Sequence, residues 1–507
     1  MSGEIFWTMI ERQAKAFAEK VFMNIPGTGE EMTYAELADE VKERGEVFLT
    51  RGLAKGEKLL LLMSNSRSFI LNYFGCGYCG GTVIPVNTSL REAELTYLIE
   101  DSQSKYIVAS REFLENIPLK YRKKMVELED GTFLFILKED VCAQTDFPQV
   151  QPEDFAMILY TSGTTGNPKG VLLTYANLLA EANQIREGHG LCADDVVLCV
   201  LPWFHINGLV ITLITSIYTG SRIVVTKKFS VSRFWGLVEQ YRVTWFSGVP
   251  TMYSHLLSKG RPEHLDIRSL RFARSASSSL PVAVLEAFER EYGVPIIESY
   301  GITEGCSQIT TNPMPPAVRK AGSVGLPVGN RIKVVNPDGI KLPPMQEGEV
   351  LIQGDNVTCG YFRKPEETEK AFTDGWFHTG DMGYLDADGY LFLTGRIKEL
   401  INRAGEKFSP REVDEVLYQL PQVELAAAVG VPDTVYGEET AAFIKLKEGQ
   451  MLTEEEVREY CREHLAYYKV PKYVRFVDEL PQGGNGKIQR LKLLERYKQF
   501  DEKERKD

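Results

Sequence analysis

Cysteine is scarce, with eight in 507 residues, too few and too scattered for a disulfide framework in a chain of this size. Cys76 and Cys79 form a lone Cys-x-x-Cys, but no second pair stands at ligand spacing. The sequence therefore predicts buried thiols near the end of a helix, not a zinc or redox centre. Long apolar runs are also lacking. The most apolar region, 196–225, is interrupted by His205, Asn207 and Gly220, and no run approaches the roughly 18 residues a membrane span requires. Positive charge is in deficit, with 58 Lys and Arg against 70 Asp and Glu, a net charge of −12. Without a basic stripe a nucleic-acid partner is disfavoured. The opening residues MSGEIFWTMIERQ place Glu4 and Glu11 where a secretion signal would be basic and then apolar. A cytoplasmic protein is expected.

What is present is ordinary for a globular protein, and the length suggests about three domain-sized units. Short apolar runs at 58–63, 82–86, 106–109, 133–137, 196–201, 222–226, 244–246 and 270–274 read as strands separated by helical segments. That alternation predicts parallel sheets covered on both faces. Thr33 with Glu36, Ser409 with Glu412 and Thr453 with Glu456 fit capping boxes, and Pro410 stands just inside the second helix. After about residue 321 the character changes. Turn sequences at 336–339 and 386–389 lie between β-rich runs, which suggests an antiparallel or barrel-like segment, followed by a small α+β unit. The tail from 490 onward reads as a solvated helix.

The densest chemical signal is Thr161-Ser162-Gly163-Thr164-Thr165-Gly166-Asn167-Pro168-Lys169-Gly170, between apolar runs at 155–160 and 171–173. Hydroxyls and glycine N–H groups at this density can wrap polyphosphate oxygens, and Lys169 adds a charge. It is not a Walker A loop, in which the lysine follows glycine and leads into a helix. Six further stretches carry candidate chemistry: Pro202-Trp203-Phe204-His205-Ile206-Asn207-Gly208; Arg274-Ser275-Ala276-Ser277-Ser278-Ser279-Leu280-Pro281; Ser299-Tyr300-Gly301-Ile302-Thr303-Glu304; His378-Thr379-Gly380-Asp381; Gly395-Arg396-Ile397-Lys398-Glu399; and Gly483-Gly484-Asn485-Gly486-Lys487. Small residues admit a flat ring to the backbone, an aromatic face suits a purine, and a carboxylate is a hard oxygen ligand.

In this order the stretches resemble the signatures of the adenylate-forming superfamily, which includes acyl-CoA synthetases, peptide-synthetase adenylation domains and beetle luciferases. The resemblance covers nearly the whole chain. It implies an α/β fold, with a large N-terminal domain (1–397) of parallel-strand sheets plus a distorted β-barrel. A small mobile α+β domain (398–507) would turn about a hinge at Lys398. It also implies an AMP-forming acyl-CoA synthetase using ATP, coenzyme A and Mg²⁺. Thr161, Ser162, Gly163, Thr164, Thr165, Gly166 and Lys169 would bind phosphate. Ser277, Ser278, Ser299, Tyr300 and Gly301 would hold the nucleotide base, and Asp381 and Arg396 the ribose. Thr303 would contact the α-phosphate, Glu304 and Thr165 would serve the metal, and Lys487 would be the catalytic lysine. His205 would shift between the two half-reactions, and Gly405 and Glu406 would face the site during thioester formation.

The acid is less determined. Trp203, Phe204, His205, Val249 and Tyr253 are candidate walls of an acyl pocket, which favours a fatty acid. The stretches 274–281, 375–390 and 395–410 resemble oxalate–CoA ligases, but those enzymes carry a histidine shortly after the Thr-Glu pair. Here the chain reads Gly305-Cys306-Ser307-Gln308, so a dicarboxylate loses a cationic partner. An oxalate-type ligase and a stand-alone enzyme loading a carrier protein remain alternatives, and a homodimer is left open.

Overall fold

In the computed structural model the described residues are 3–139, 142–144, 147–161, 168–484 and 486–504. Their strands form four sheets. In the first, of seven strands, Tyr106–Ala109, Lys58–Leu62, Thr82–Pro85 and Phe155–Thr161 run parallel at the centre, and antiparallel strands close both sides. The second has nine strands. Its inner six are parallel, in the order Ile296–Tyr300, Phe272–Ser275, Trp245–Gly248, Val196–Cys199, Arg222–Val225 and Val21–Ile25. The alternating pattern thus produces the expected parallel cores, while the antiparallel edges make both sheets mixed. A single core cluster takes Leu59, Leu61 and Val83 from the first sheet and Val197, Cys199 and Ile223 from the second. Side chains of the helices Arg67–Tyr78 and Tyr175–His189 join it. Helix Tyr34–Thr50 reaches Arg67–Tyr78 through Gly45 and Gly75, where a Cβ would stand 2.3 Å from the Tyr78 ring and 2.6 Å from the Arg44 side chain. Cys76 and Cys79 are free and buried, as expected of thiols that only pack.

The β-rich stretch forms a five-stranded antiparallel sheet that ends with Trp376–Leu385 paired to Leu391–Arg396. The next strand, Ile401–Arg403, belongs to the fourth sheet, with Val423–Asp433, Gly437–Leu446 and Tyr473–Phe476. Sheet membership therefore changes across the 3₁₀ turn Ile397–Glu399, on which Lys398 is exposed. The result is a large N-terminal α/β part and a small C-terminal α+β part. All three capping boxes are formed; at Thr33, for example, the backbone N–H donates to Glu36 at 2.7 Å. Among the described residues, no helix is long and apolar enough to cross a membrane.

Several polar contacts tie the small part to the large one, alongside Tyr418, which packs on the large part's core. His255 on helix Pro250–Lys259 lies 2.9 Å from Glu424 on strand Val423–Asp433, and Lys445 donates to the same carboxylate at 2.8 Å. The Val282 N–H donates to Glu415 at 3.3 Å, and Arg411 donates to the Leu393 carbonyl.

Candidate active site

A cleft opens where the second and third sheets meet the C-terminal part. It gathers residues from five separate stretches: Ser277, Ser278, Ser299, Tyr300 and Gly301 from loops and strand ends of the second sheet, Asp381 and Arg396 from the third, and Lys487 from the C-terminal part. Asp381 and Arg396 face each other across the antiparallel pair, with Arg396 Nε 2.8 Å from Asp381 Oδ1. The Tyr300 hydroxyl donates to Asp381 Oδ2 at 2.5 Å. Asp381 is only 4% exposed, and burial raises its carboxyl pKa against the opposing pull of Arg396 and Tyr300. Lys487 is half-buried. Burial and the Arg396 charge lower its ammonium pKa, while Glu399 and Asp381 oppose the shift.

The lysine loop is seated on the large part. Thr251 Oγ1 donates to the Gly486 carbonyl at 2.9 Å. Gly484 lies against the Phe204 ring and Gly486 against Val249, so tightly that a Cβ at either would come within 3.1 Å of them. Two of the expected acyl-pocket walls, Phe204 and Val249, thus also support the lysine loop. Two others fill cores. Trp203 is fully buried against Phe69, and Tyr253 packs on Phe246 and Phe288 while its hydroxyl donates to the Arg274 carbonyl at 2.7 Å. The Nε2 of His205 is buried without a hydrogen-bond partner, and burial lowers this imidazole to about 4, so it is neutral.

Behind Ser277 lies a polar network that the sequence did not single out. Asn207 donates to Ser277 Oγ at 3.1 Å, and its Oδ1 accepts from Ser247 and from Arg274 at 2.9 and 3.1 Å. It opens the π-helical segment Asn207–Ile214, a wide turn of the kind often found at functional sites. Ser277 itself is held at φ +74°, a left-handed conformation that costs a non-glycine residue of order 1–3 kcal/mol. Gly301 is required on the other side: a Cβ there would stand 1.1 Å from the Ser307 carbonyl oxygen. The one available signal for Arg274 was a charge placed directly at the end of an apolar strand.

Glu304 accepts from the Tyr361 hydroxyl at 3.0 Å, and burial raises its pKa. Lys169 Nζ lies 5.3 Å from the centre of the same Tyr361 ring, and Thr161 stands opposite Lys169 in the hairpin of Phe155–Thr161 with Lys169–Thr174. The expected phosphate-loop residues Ser162, Gly163, Thr164, Thr165 and Gly166 lie outside the described residues. Thr303 and Glu304 occupy the 3₁₀ turn Thr303–Gly305. Among the described residues, no cluster of three His, Cys, Asp or Glu could hold a metal by itself. A single carboxylate nevertheless suits Mg²⁺, which is commonly held by one or two carboxylates together with substrate phosphates. Gly405, on the turn after Ile401–Arg403, and Glu406, which opens the strand Glu406–Phe408, are exposed and do not line the cleft.

Comparison with known proteins fits this geometry. The family model described as AMP-binding enzyme matches residues 10–362, and that described as AMP-binding enzyme C-terminal domain matches 412–487. The chain is 39% identical over 502 residues to the sulfoacetate–CoA ligase of Cupriavidus necator, covering 97% of this chain and 98% of that one. It is 36% identical over 514 residues to the oxalate–CoA ligase of Arabidopsis thaliana, covering 98% and 99%. The solved structure of the o-succinylbenzoate coenzyme A synthetase of Bacillus subtilis, in complex with ATP and magnesium ion, aligns with a TM-score of 0.82 at 30% identity, covering 97% of this chain and 100% of that one.

Proposed function

The chain belongs to the AMP-binding enzyme family and is an AMP-forming carboxylate–CoA ligase with ATP and coenzyme A as co-substrates; on that premise we propose how its residues divide the work. In the first step a carboxylate oxygen of the acid attacks the α-phosphorus of ATP, and the bond to pyrophosphate breaks. In the second the coenzyme A thiol, losing its proton, attacks the acyl carbon and AMP leaves. The first step brings two anions together, so catalysis is positioning and charge neutralisation. Lys487 bridges the substrate carboxylate and the α-phosphate. Thr161, Lys169 and the loop between them hold the phosphates, Thr303 contacts the α-phosphate, Tyr300 takes the adenine, and Asp381 with Arg396 takes the ribose. Glu304, with Thr165, would hold Mg²⁺, which when bound supplies positive charge against the pyrophosphate.

The observation that carries this reading is the seating of Lys487 in one cleft with Asp381, Arg396 and Tyr300 while Gly405 and Glu406 stand outside it. It supports an adenylation arrangement. Rotation of 398–507 about Lys398 against 1–397 would then withdraw the lysine and bring in the 402–410 loop for the thiol step. Proline at Lys398 restricts φ, and Lys398→Pro is expected to slow thioester formation by about tenfold or more, about 1.4 kcal/mol on the barrier. Pyrophosphate exchange should remain near the wild-type rate. Equal slowing of both half-reactions, measured separately, would count against a hinge there.

The acid we propose is short. The fatty-acid reading rested on apolar walls, but Trp203 and Tyr253 are committed to cores and Phe204 and Val249 to the lysine loop. The acids in the names of the two relatives, sulfoacetate and oxalate, support moving the dicarboxylate alternative ahead of it. A carrier-protein acceptor gives way to coenzyme A, and a cytoplasmic setting is part of the same proposal. Pyrophosphate release with coenzyme A and acids from C2 to C18, aromatic acids, oxalate and sulfoacetate is the test. Short acids are expected to dominate, and preferred turnover of C12 to C18 acids would overturn that size limit.

A further inference from the structure

Hydrogen bonds within the lysine loop fix its shape. The Gly483 N–H donates to the Lys487 carbonyl, the Gly486 N–H to the Gly483 carbonyl and the Gln489 N–H to the Pro481 carbonyl, each at 2.8 Å, and Gln482 pairs with Ile488. All of these partners belong to the loop itself, so they do not set where it stands in the cleft. That is set from the large part. Thr251 lines the cleft and is only 6% exposed, and its hydroxyl donates at 2.9 Å to the carbonyl of Gly486, the peptide that leads into Lys487. Gly486 sits at φ +79°. Glycine reaches this left-handed conformation freely, but it reaches many others as freely, so a contact from outside is needed to select it.

The helix that carries Thr251, Pro250–Lys259, makes a second contact to the small part from the same face. His255 follows Thr251 by four residues, about one helical turn, and side chains at that spacing are neighbours on a helix surface. Its ring lies 2.9 Å from Glu424. One rigid element of the large part therefore grips the small part at two points, and one of them adjoins Lys487. Both bonds join the two parts that would turn about Lys398, so both exist only while the small part is seated as it stands here.

We infer that Thr251 is a positioning residue for the adenylation half-reaction: its hydroxyl fixes the peptide before Lys487, and so aims the ammonium into the cleft only while the small part is docked on helix Pro250–Lys259. This rests on the ligase reading above and deepens it, by naming the group on the large part that registers the lysine. Thr251 acts through Lys487, so its loss should cost the step that uses the lysine and spare the step that does not. Valine matches threonine in size but cannot donate, which leaves the Gly486 carbonyl without this partner, whereas serine keeps the donor.

The test measures ATP–pyrophosphate exchange with acetate, butyrate, oxalate and sulfoacetate in the wild type, Thr251→Val and Thr251→Ser. A catalytic group displaced by about 1 Å can cost on the order of 100-fold, and with the loop still held by its other contacts T251V is expected to lower kcat for exchange by about 30-fold. Its KM for ATP and its rate of thioester formation from supplied acyl-adenylate should stay within about threefold of wild type, and T251S should recover most of the exchange rate. In the Lys487→Ala background, T251V should slow single-turnover adenylate formation no further, because two residues that act as one unit are not additive. Equal loss of both half-reactions, a raised KM for ATP with kcat unchanged, a serine variant no better than valine, or a further loss in the Lys487→Ala background overturns the proposal. Should T251V fail to fold, Thr251→Ala removes the same hydroxyl and is read by the same outcomes. If none of the four acids supports exchange in the wild type, the short-acid ligase reading fails instead. Hydrogen exchange at the Gly483 and Gly486 amides then decides for Thr251: exchange faster by about tenfold or more in T251V, but not in T251S, supports it, and unchanged exchange overturns it.

Discussion

Lys487→Ala is expected to abolish acid-dependent ATP–pyrophosphate exchange, by about a thousandfold or more, while thioester formation from supplied acyl-adenylate changes only a few-fold. The size follows from what a single cation does between two anions. Preorganised charge aimed at a developing negative centre contributes about 3–4 kcal/mol in a water-poor site, or 10²–10³ in rate, and here it also offsets the ground-state repulsion of carboxylate and phosphate. The lysine loop is fixed in place, bonded to Thr251 and packed on Phe204 and Val249. In the second half-reaction no anion attacks phosphorus, so the same cation has nothing to neutralise. Equal loss of both half-reactions, measured with isolated acyl-adenylate, would sink the division of labour.

Asp381→Ala is expected to raise the KM for ATP by about 100-fold, since hydrogen bonds to a charged acceptor contribute about 1.5–3 kcal/mol each. Two ribose hydroxyls would lose one carboxylate together. The same substitution deprives the Tyr300 hydroxyl and the Arg396 guanidinium of their common acceptor. The adenine-stacking ring and the second ribose contact should then both lose orientation. Thermal unfolding supplies the second measurement: ATP should raise the melting temperature of the wild type through linkage and of D381A by much less. An unchanged ATP-induced shift would remove Asp381 from the nucleotide site.

Local signals in the sequence carried far. The three capping boxes depend on residues three apart, and all three form. The strands flanking the Ser/Thr/Gly loop were visible as apolar runs, but their antiparallel pairing was not. Spacing could not foresee Arg274. A serine-rich stretch led by one arginine reads as a polar turn until Gln308 and Asn207, 34 and 67 residues away, close around it. The antiparallel edges of both large sheets escaped as well, although several are hairpins between strands adjacent in sequence, such as Val21–Ile25 with Glu30–Thr33. Trp203 and Tyr253 were legible as apolar but not as core, because a run of large side chains looks the same lining a cavity or filling one.

The contacts beneath the C-terminal part, His255 on Glu424, Val282 on Glu415 and Arg411 on Leu393, are bonds that water can replace almost as well. Under the alternation proposed here they must be broken and remade in every catalytic cycle. A turnover near the common value of about 10 per second allows a total barrier of only about 16 kcal/mol. An adhesive apolar seam would consume that allowance before any chemistry occurred. Grip strength and speed are therefore opposed in this molecule, and a substitution that glued the two parts more firmly, such as replacing His255 and Glu424 by a leucine pair, would make a more stable protein and a slower enzyme.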